Sequence, residues 1–441
     1  MKSVIPLAAL MACAATAAHG QTPPAFSNER WREDWSGVDA PWKDIALSPG
    51  LALDIGADAR WKLEIIDNPR YGLTSFVDDA WLQQRLLMHF NLRAGHVARA
   101  FVELGAFDVM GRINRGANDD DRLDFQQAFL DLTPHWGETG LRVRLGRQEM
   151  EYGERFFDLG DSSNIRQHYD AVRLTLTHGP WTTDAFVAEQ VANEPGVFDD
   201  DHVQGQDVYG LRAQRAVQGS TLRFFYYNQA RDGLALAGVT ADDRRDSYGV
   251  YANQTWGAYD GAFEIVRQDG EHGAFDVEAW GAYGELGHTF GEGSRAPRIG
   301  ARITYGSGDS DSSDGVIETY APPFPRGSWF NEAGLVSHSN VLEAAALASF
   351  TWGEVKFDTK LGGLWRADDN DFVYVSSTTA LPGTNTGDAF IGVLPRVQLT
   401  WRPSRNVTVR SEWSMVAVSD DLEALGGQNV NYANLSVAFR Y

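Results

Sequence analysis

Apolar and polar residues alternate along much of the chain, in segments of about ten residues. In the first such segment, the apolar side chains from Leu53 to Ile65 alternate with a polar face that carries five charged residues. A period of two places these two sets on opposite faces of a β-strand. Because one face is apolar and the other is charged, the two faces meet different solvents. This pattern is typical of a transmembrane β-barrel.

The same alternation recurs to the end of the chain, with polar, Gly-rich turns between the segments. The predicted strands lie near residues 51–66, 80–94, 97–108, 123–132, 141–149, 170–178, 181–191, 207–217, 220–230, 246–256, 259–269, 277–290, 297–306, 338–351, 354–366, 387–401, 406–418 and 429–441. An even number of strands suits a closed antiparallel sheet. We therefore predict an all-β fold, a closed antiparallel transmembrane β-barrel of about 18 strands over residues 51–441.

Aromatic residues mark the ends of several predicted strands. The last segment ends on Tyr441, and a terminal strand of this kind resembles the signal read by the outer-membrane assembly machinery. Five tryptophans at strand ends are candidates for the interfacial girdle of a barrel, namely Trp136, Trp181, Trp256, Trp352 and Trp401. Scattered core aromatics remain the alternative interpretation.

The N-terminus has the features of a secretory signal peptide. Lys2 supplies the positive charge, residues 4–18 are an apolar run, and small residues precede a cleavage site after Gly20. We predict a signal peptide over residues 1–20 and a periplasmic approach segment over residues 21–50. Cleavage before Cys13, with lipidation of that cysteine, is the alternative.

Composition narrows the destination and the partners. Cys13 is the only cysteine, so a mature chain cut after Gly20 forms no disulfide. The formal charge of −22 argues against nucleic acid as a partner. No apolar run after the signal peptide reaches the length of about 18 residues that a helical membrane span needs. These features together favour the bacterial outer membrane.

Motifs of common enzyme classes do not occur in the chain. The sequence contains no Gly-x-Ser-x-Gly elbow, no His-Glu-x-x-His and no Gly-rich phosphate loop. His89 falls on a predicted lumen face, but a single histidine does not define a catalytic site. We predict neither an enzymatic activity nor a cofactor.

Four stretches resemble the alginate export family of outer-membrane barrels. They are the approach segment 30–36, the strand pair 81–104, the motif from Gly146-Arg147-Gln148-Glu149 to Asn164, Arg166 and Asp170, and the segment 306–327. The third stretch is the most specific, because it is not a general feature of barrels. The resemblance implies an 18-stranded barrel with an arginine-lined pore that passes an anionic polysaccharide such as alginate.

One segment departs from the family pattern. The family carries Arg-Glu-Gly-Pro before the asparagine and paired arginines after it. Here Gly160-Asp161-Ser162-Ser163 precede Asn164, and Gln167 follows Arg166. At least one pore arginine of the family is therefore missing.

Basic residues concentrate on the predicted lumen face, whereas runs of aspartate fall in the loops. The predicted pore-lining and anion-binding residues are Arg60, Arg85, Arg93, Arg99, Arg142, Arg144, Arg173, Arg298, Arg302, Lys360, Arg396 and Arg410. Guanidinium groups match carboxylates with two parallel donors, so such a set suits an anionic sugar. The alternative is that these residues only pair with lumen carboxylates and hold the wall.

A loop with alternating carboxylates is a candidate Ca²⁺ site through Asp309, Asp311 and Asp314. The spacing lacks the distal glutamate of an EF-hand loop. A solvated acidic loop without a metal is the alternative interpretation.

We predict a passive outer-membrane channel for anionic sugar polymers or oligomers, of the alginate export kind. The expected partners are the anionic polysaccharide or small anionic solutes, outer-membrane lipid and the assembly machinery. Two alternatives remain open from the sequence: an uptake porin for small solutes, and a barrel plugged by its loops that has a structural role.

Overall fold

The computed structural model of the protein describes residues 22–153, 155–236 and 238–441. The predicted signal peptide, with Cys13 and the cleavage site after Gly20, lies outside the described residues. Eighteen long strands form one closed antiparallel sheet. Each of the 18 predicted segments overlaps one of these strands, so the predicted fold class and strand number are confirmed.

The barrel strands are numbered in chain order. They are β1 Leu51–Asp67, β2 Asp79–Ala94, β3 Ala98–Met110, β4 Asp121–Leu132, β5 Thr139–Gln148, β6 Tyr169–His178, β7 Trp181–Ala192, β8 Asp201–Val217, β9 Ser220–Leu236, β10 Val239–Trp256, β11 Tyr259–His272, β12 Phe275–Thr289, β13 Arg298–Gly306, β14 Val341–Trp352, β15 Val355–Trp365, β16 Phe390–Trp401, β17 Val407–Val418 and β18 Val430–Arg440.

Short elements complete the chain. Three short strands, Ile45–Ser48, His135–Trp136 and Val316–Ile317, extend the sheet at its rims. The 3-10 turns are Arg30–Arg32, Pro69–Gly72 and Gly327–Trp329, and one α-helix covers Asp420–Ala424. Among the described residues, no helix combines the length and the apolar character that crossing a bilayer requires.

The barrel closes where β1 meets β18. Their register runs from Asp58 opposite Arg440 to Asp67 opposite Asn431. Beyond it, the Ala57 N–H donates to the Tyr441 carbonyl at 3.0 Å, and the Tyr441 N–H donates to the Ala57 carbonyl at 2.8 Å. Lipid offers no partner for a free backbone group, so this seam satisfies the edges of the sheet.

The two ends of the barrel differ in the lengths of their connections. The three longest connections, residues 149–168, 307–340 and 366–389, all lie at one end. Connections at the other end include the two-residue turns 179–180 and 218–219. Outer-membrane barrels place short turns in the periplasm and long loops outside the cell. Both ends of the described chain lie at the short-turn end of the barrel.

The five predicted girdle tryptophans all lie at the short-turn end and are exposed. Their exposed fractions are 60% for Trp136, 38% for Trp181, 46% for Trp256, 78% for Trp352 and 40% for Trp401. Indole rings favour the boundary between lipid and water. The positions therefore agree with the predicted interfacial girdle.

Two of the long connections fold back into the barrel and bury aromatic side chains there. In the connection 149–168, Tyr152 and Phe157 pack against Phe186 of β7 and Tyr227 of β9. In the connection 307–340, Phe330 belongs to a second buried cluster. The lumen is thus partly filled by the chain's own loops, and what remains open is a set of cavities between them.

Placing a charge on the lipid face should destabilise the barrel. Leu174 lies near the middle of β6 with 43% of its surface exposed. We expect Leu174→Arg to lower the free energy of unfolding by about 2–4 kcal/mol, the cost of arginine near the bilayer midplane. Denaturant unfolding of the protein in lipid vesicles measures this change. Thr182→Arg, which faces a lumen cavity, is the control. Equal losses for both variants would contradict the assigned faces.

Candidate functional site

The lumen contains two large cavities at the short-turn half of the barrel. The first has a volume of about 710 Å³ and the second about 780 Å³. Glu151 and Arg326 line both. The two cavities are therefore neighbouring lobes of one vestibule, and residues of the N-terminal segment border each lobe.

The structure divides the twelve predicted pore-lining residues into two groups. Eight line one of the lobes: Arg60, Arg85, Arg302, Arg396 and Arg410 in the first, and Arg99, Arg142 and Arg173 in the second. Four line neither lobe and pair with wall carboxylates: Arg93 with Asp54 at 2.9 Å, Arg144 with Asp131 at 2.7 Å, Arg298 with Asp260 at 2.5 Å and Lys360 with Glu343 at 2.5 Å. Pairing with wall carboxylates is not confined to these four, because Arg173, Arg302 and Arg396 also pair with Asp184, Glu343 and Glu412, at 3.0, 2.8 and 2.8 Å. The transport role of the eight stays a prediction.

Sequence patterns missed several cations of the vestibule. The additional cations are Lys62, Arg326, Arg402, Arg405 and Arg440 in the first lobe, and Arg32, Arg212 and Arg223 in the second. Arg223 lies on a lumen face of β9 that also carries the buried Phe225 and Tyr227. An apolar lumen face hides the alternation that reveals such residues. For Lys62, the polar face of β1 was a usable signal.

A constriction separates the first lobe from a cavity of about 290 Å³ on the long-loop side. Ser162 and Glu332, from the two inward-folded connections, line both cavities. Between them lies Lys62 of β1, whose Nζ donates to the Ser162 carbonyl at 2.9 Å and lies 3.5 Å from Glu332 Oε2. One lysine therefore holds the two loops together across the route through the barrel.

Asp161 anchors one side of the constriction. Its Oδ1 lies 2.5 Å from Arg85 Nη1 and 2.9 Å from Arg166 Nε. Burial raises the pKa of Asp161, but the guanidinium groups of Arg85, Arg166 and Arg60 outweigh it and hold the pKa well below its usual value. Asp161 is therefore a fixed anion at neutral pH.

Glu332 anchors the other side. It accepts hydrogen bonds from Gln398 Nε2 at 3.1 Å and from Asn434 Nδ2 at 2.7 Å. Burial raises the pKa of Glu332, whereas Lys62, Arg410 and Arg396 lower it below its usual value. Both loop carboxylates are thus held ionised by wall cations.

Backbone carbonyls of the segment 160–164 meet the same wall cations. Arg60 donates to the carbonyls of Asp161 and Ser163. Arg85 donates to the Asn164 carbonyl at 2.7 Å and to the Ser163 carbonyl at 2.6 Å. Two of the lumen arginines therefore hold this segment in place by charge-assisted hydrogen bonds.

The family motif positions the inward-folded connection. Gly146 has a φ of +117°, and a Cβ there would overlap the Ala128 carbonyl oxygen. Arg147 binds both carboxylate oxygens of Asp170, at 3.0 and 3.1 Å. The backbone conformation at the base of the loop therefore requires the glycine at position 146. The arginine at position 147 is explained by its two parallel hydrogen bonds to one carboxylate.

Asn164, Gln148 and Glu149 complete this anchoring. Asn164 Nδ2 donates to the carbonyls of Gln84, Asp108 and Asp119, at 3.1, 3.2 and 2.8 Å. Gln148 donates to the Ala171 carbonyl at 3.2 Å, and Glu149 lies 3.2 Å from Arg166. Of the motif residues, Arg166 also borders the first lobe.

The N-terminal segment packs into the short-turn end of the lumen. Arg30 is buried, pairs with Glu33 at 2.8 Å and with Asp58 of β1, and donates to the Tyr441 carbonyl at 3.0 Å. Trp31 lies under the Arg144 guanidinium at 3.7 Å. These contacts narrow the vestibule. A periplasmic location for the segment 21–50 stays a prediction.

The acidic loop predicted to bind Ca²⁺ forms hydrogen bonds within itself. Asp309 accepts from the Asp311 N–H at 3.3 Å, and Asp311 accepts from Ser313 Oγ at 2.6 Å. The three carboxylates of Asp309, Asp311 and Asp314 do not form a tight donor cluster in the described chain. Ca²⁺ binding by this loop stays a prediction.

Comparison with known protein families identifies the family of the chain. The model of the family described as alginate export matches residues 51–436. The chain belongs to the alginate export family. It is therefore a channel of the bacterial outer membrane, as predicted from the strands and the motif. Among curated proteins, a search found none that matches.

Solved structures of other outer-membrane proteins share the fold of this alginate export family member. OccK5 (OpdH) of Pseudomonas aeruginosa is 10% identical with a TM-score of 0.54, over 88% of this chain and 98% of that one. OpdK of Pseudomonas aeruginosa, solved with vanillate, is 11% identical with a TM-score of 0.55, over 88% and 98%. OccAB3 of Acinetobacter baumannii is 12% identical with a TM-score of 0.53, over 88% and 100%.

Removing the lysine of the constriction should widen the route. We expect Lys62→Met to raise single-channel conductance, because neither Ser162 nor Glu332 keeps its shared cationic partner. The anion selectivity of the Lys62→Met channel should fall at the same time, since the lumen loses one positive charge. Planar-bilayer recording measures both quantities. Lys356→Met, on the half-exposed short-turn end of β15, is the control. A lower conductance in Lys62→Met would contradict the assigned constriction.

Acid should act on the constriction only well below neutral pH. Lowered pKa values keep Asp161 and Glu332 ionised, so their stabilising ion pairs are complete above the ordinary values of about 3.9 and 4.3. They are lost only as the pH falls through the lowered values. We therefore expect Asp161 and Glu332 to contribute no change in conductance from about pH 8 to about pH 5. A transition within that range that disappears in Glu332→Gln would contradict this expectation.

Proposed function

We propose that this channel conducts anionic sugar chains or oligomers outward, with their carboxylates passing along the vestibule arginines. The charge reversal inside the barrel supports the proposal. The whole chain carries 38 basic and 60 acidic residues. The first lobe is lined by eleven basic residues and five acidic ones, and the second by seven and three. The vestibule therefore attracts anions, although the protein as a whole has a net negative charge.

The basic residues of the vestibule differ in how closely they pair with carboxylates of the protein. Arg402 has no ion pair within 4.0 Å among the described residues, and Arg410 lies 3.9 Å from Glu332. Arg142 donates to Thr175 Oγ1 at 3.2 Å and has no carboxylate partner in the described chain. Such cations can each bind a sugar carboxylate weakly. A row of weak sites favours passage over trapping.

Uptake of small anionic solutes is the second candidate function. The observation that favours it is the constriction, because Lys62 bridges the two inward-folded connections between the first lobe and the long-loop side. A small anion needs a smaller displacement of the loops than a polymer does. The OpdK structure contains vanillate, a small solute, on a related fold.

We propose a passive mode of action without a cofactor or an enzymatic step. The family and the structural neighbours are channel proteins, which supports this proposal. The exposed apolar residues of the strands support contact with outer-membrane lipid, and the last strand, β18, supports recognition by the assembly machinery.

Bilayer recording with a polyuronate blocker tests the cargo. We expect anion selectivity and a reversible block by oligomannuronate, with no block by neutral dextran of equal length. Removing the Arg402 charge as Arg402→Gln should weaken the block about fivefold, equivalent to about 1 kcal/mol for one exposed charge pair. The Kd of block, read from its concentration dependence, measures the change.

Arg295→Gln is the matched control, since Arg295 lies in the exposed connection 290–297 away from both lobes. This variant should leave the block unchanged. Cation selectivity without any block would exclude the anionic cargo. Block by single uronate units but not by longer oligomers would favour the uptake of small solutes.

A further inference from the structure

Three carboxylates meet on the long-loop side of the barrel, away from the vestibule. They belong to Asp121 and Asp124 at the start of β4 and to Asp200 in the connection 193–200. One carboxylate oxygen of each lies within 4.8 Å of the other two. Asp121 is 2% exposed, Asp124 is 4% exposed, and the side chain of Asp200 is 1% exposed. This is a compact, buried set of oxygen donors.

Positive charge near this cluster is scarce. Arg147 Nη1 lies 3.7 Å from Asp124 Oδ1 and 3.8 Å from Asp200 Oδ2. The same guanidinium is bonded through its other nitrogens to both oxygens of Asp170. Among the described residues, Asp124 and Asp200 thus share one arginine that already has a carboxylate partner, and Asp121 has no ion pair within 4.0 Å. Buried carboxylates without compensation are costly, so the arrangement calls for an additional cation.

Backbone hydrogen bonds orient the three carboxylates before any ligand arrives. Asp124 Oδ2 accepts from the N–H groups of Asp199 and Asp200, at 2.9 and 3.2 Å. Asp121 Oδ1 accepts from the Leu123 N–H at 3.2 Å, and Asp200 Oδ1 accepts from the Glu194 N–H at 2.7 Å. Asp121 Oδ2 and Asp200 Oδ2 accept no hydrogen bond from the described residues. The donor atoms are held in place, and two of them remain available.

A buried histidine gives an independent sign of a missing cation. His168 is 2% exposed, and its Nε2 has no hydrogen-bond partner among the described residues. Its Nδ1 lies 3.0 Å from the Arg166 carbonyl, to which it donates. The other ring nitrogen, Nε2, faces Asp200 Oδ2 across 3.8 Å, which is beyond hydrogen-bond distance. A cation bound beside these two buried atoms would give both of them a partner.

The connection 193–200 is packed against β4 by contacts that do not depend on an ion. The Phe198 N–H donates to the Leu123 carbonyl at 3.0 Å, and the rings of Phe198 and Phe125 lie 5.0 Å apart. Asn193 Nδ2 donates to Asn118 Oδ1 at 2.7 Å. The cluster is therefore built on a fixed scaffold.

We propose that Asp121, Asp124 and Asp200 bind a divalent cation of the calcium class and thereby fasten the connection 193–200 to β4. Carboxylate oxygens are the preferred ligands of Ca²⁺, and waters complete its shell of 6–8 oxygens. His168 lies at the edge of the cluster and is oriented by its bond to the Arg166 carbonyl. The site differs from the acidic loop at Asp309, and it does not depend on the identity of the transported solute.

Calorimetric titration of CaCl₂ into the full-length barrel tests the proposal. The protein is refolded in detergent, treated with EDTA and dialysed before the titration. We expect one Ca²⁺ per chain, with a Kd of about 10⁻⁴–10⁻³ M, the range of extracellular calcium modules. The variant Asp121→Asn/Asp200→Asn should bind at least tenfold more weakly. The matched control, Asp311→Asn/Asp314→Asn, should bind as the unaltered protein does.

Thermal unfolding distinguishes a metal site from a purely structural cluster. If the proposal is right, Ca²⁺ raises the Tm of the unaltered protein, and Asp121→Asn/Asp200→Asn removes this rise. In EDTA, the same variant should have a Tm at least as high as that of the unaltered protein, because repulsion between carboxylates is relieved. A variant that unfolds more easily in EDTA, combined with no effect of Ca²⁺ on the unaltered protein, would overturn the proposal.

The variant His168→Gln provides a second test by Ca²⁺ titration, in which all three carboxylates remain in place. We expect this variant to fold, to migrate on gels with the usual heat dependence, and to retain one Ca²⁺ per chain. Absence of Ca²⁺ binding by the unaltered protein up to about 10 mM, ten times the upper end of the expected range, would overturn the proposal. Ca²⁺ binding that is lost only in Asp311→Asn/Asp314→Asn would overturn it as well.

Discussion

The structure depends on the pairing of β1 with β18. In lipid an unpaired backbone group has no substitute partner, so a sheet crosses a membrane only when its first and last strands join. Closure then determines whether each strand residue faces lipid or the lumen, because successive side chains of a strand point to opposite faces. Apolar residues meet lipid, and the charged residues that alternate with them must share one enclosed lumen. The electrostatics of the channel follow from this seam at Ala57 and Tyr441.

Charges that share a narrow lumen must first neutralise one another. Where a strand places an arginine beside a carboxylate on its neighbour, the two side chains pair, as Arg144 and Asp131 do at 2.7 Å. Elsewhere the excess cations are met by the inward-folded connection 149–168. Asp161 there occupies guanidinium groups that an incoming carboxylate would also seek. The loop and an anionic cargo therefore compete for the same donors.

The sequence predicts this wall far better than it predicts what fills it. Strands such as β1 have one apolar face and one charged face, so their alternation locates them directly. On β9, Phe225 and Tyr227 face the lumen because the connection 149–168 packs aromatic rings against them. Alternation carries no information about such a partner, since the path of a loop has no period. For the same reason, the meeting of Ser162, Lys62 and Glu332 is a tertiary property that no local pattern contains.

The motif that revealed the family is mainly structural in its contacts. Asn164 and the pair of Arg147 and Asp170 hold the base of the inward-folded connection against the barrel wall. The segment that departs from the family pattern, residues 160–163, touches the cations of the constriction beside the motif residue Asn164. A family likeness therefore defines the scaffold, whereas part of the contacts at the constriction lies where this chain differs. The shape of the constriction thus depends partly on residues that the shared scaffold does not specify.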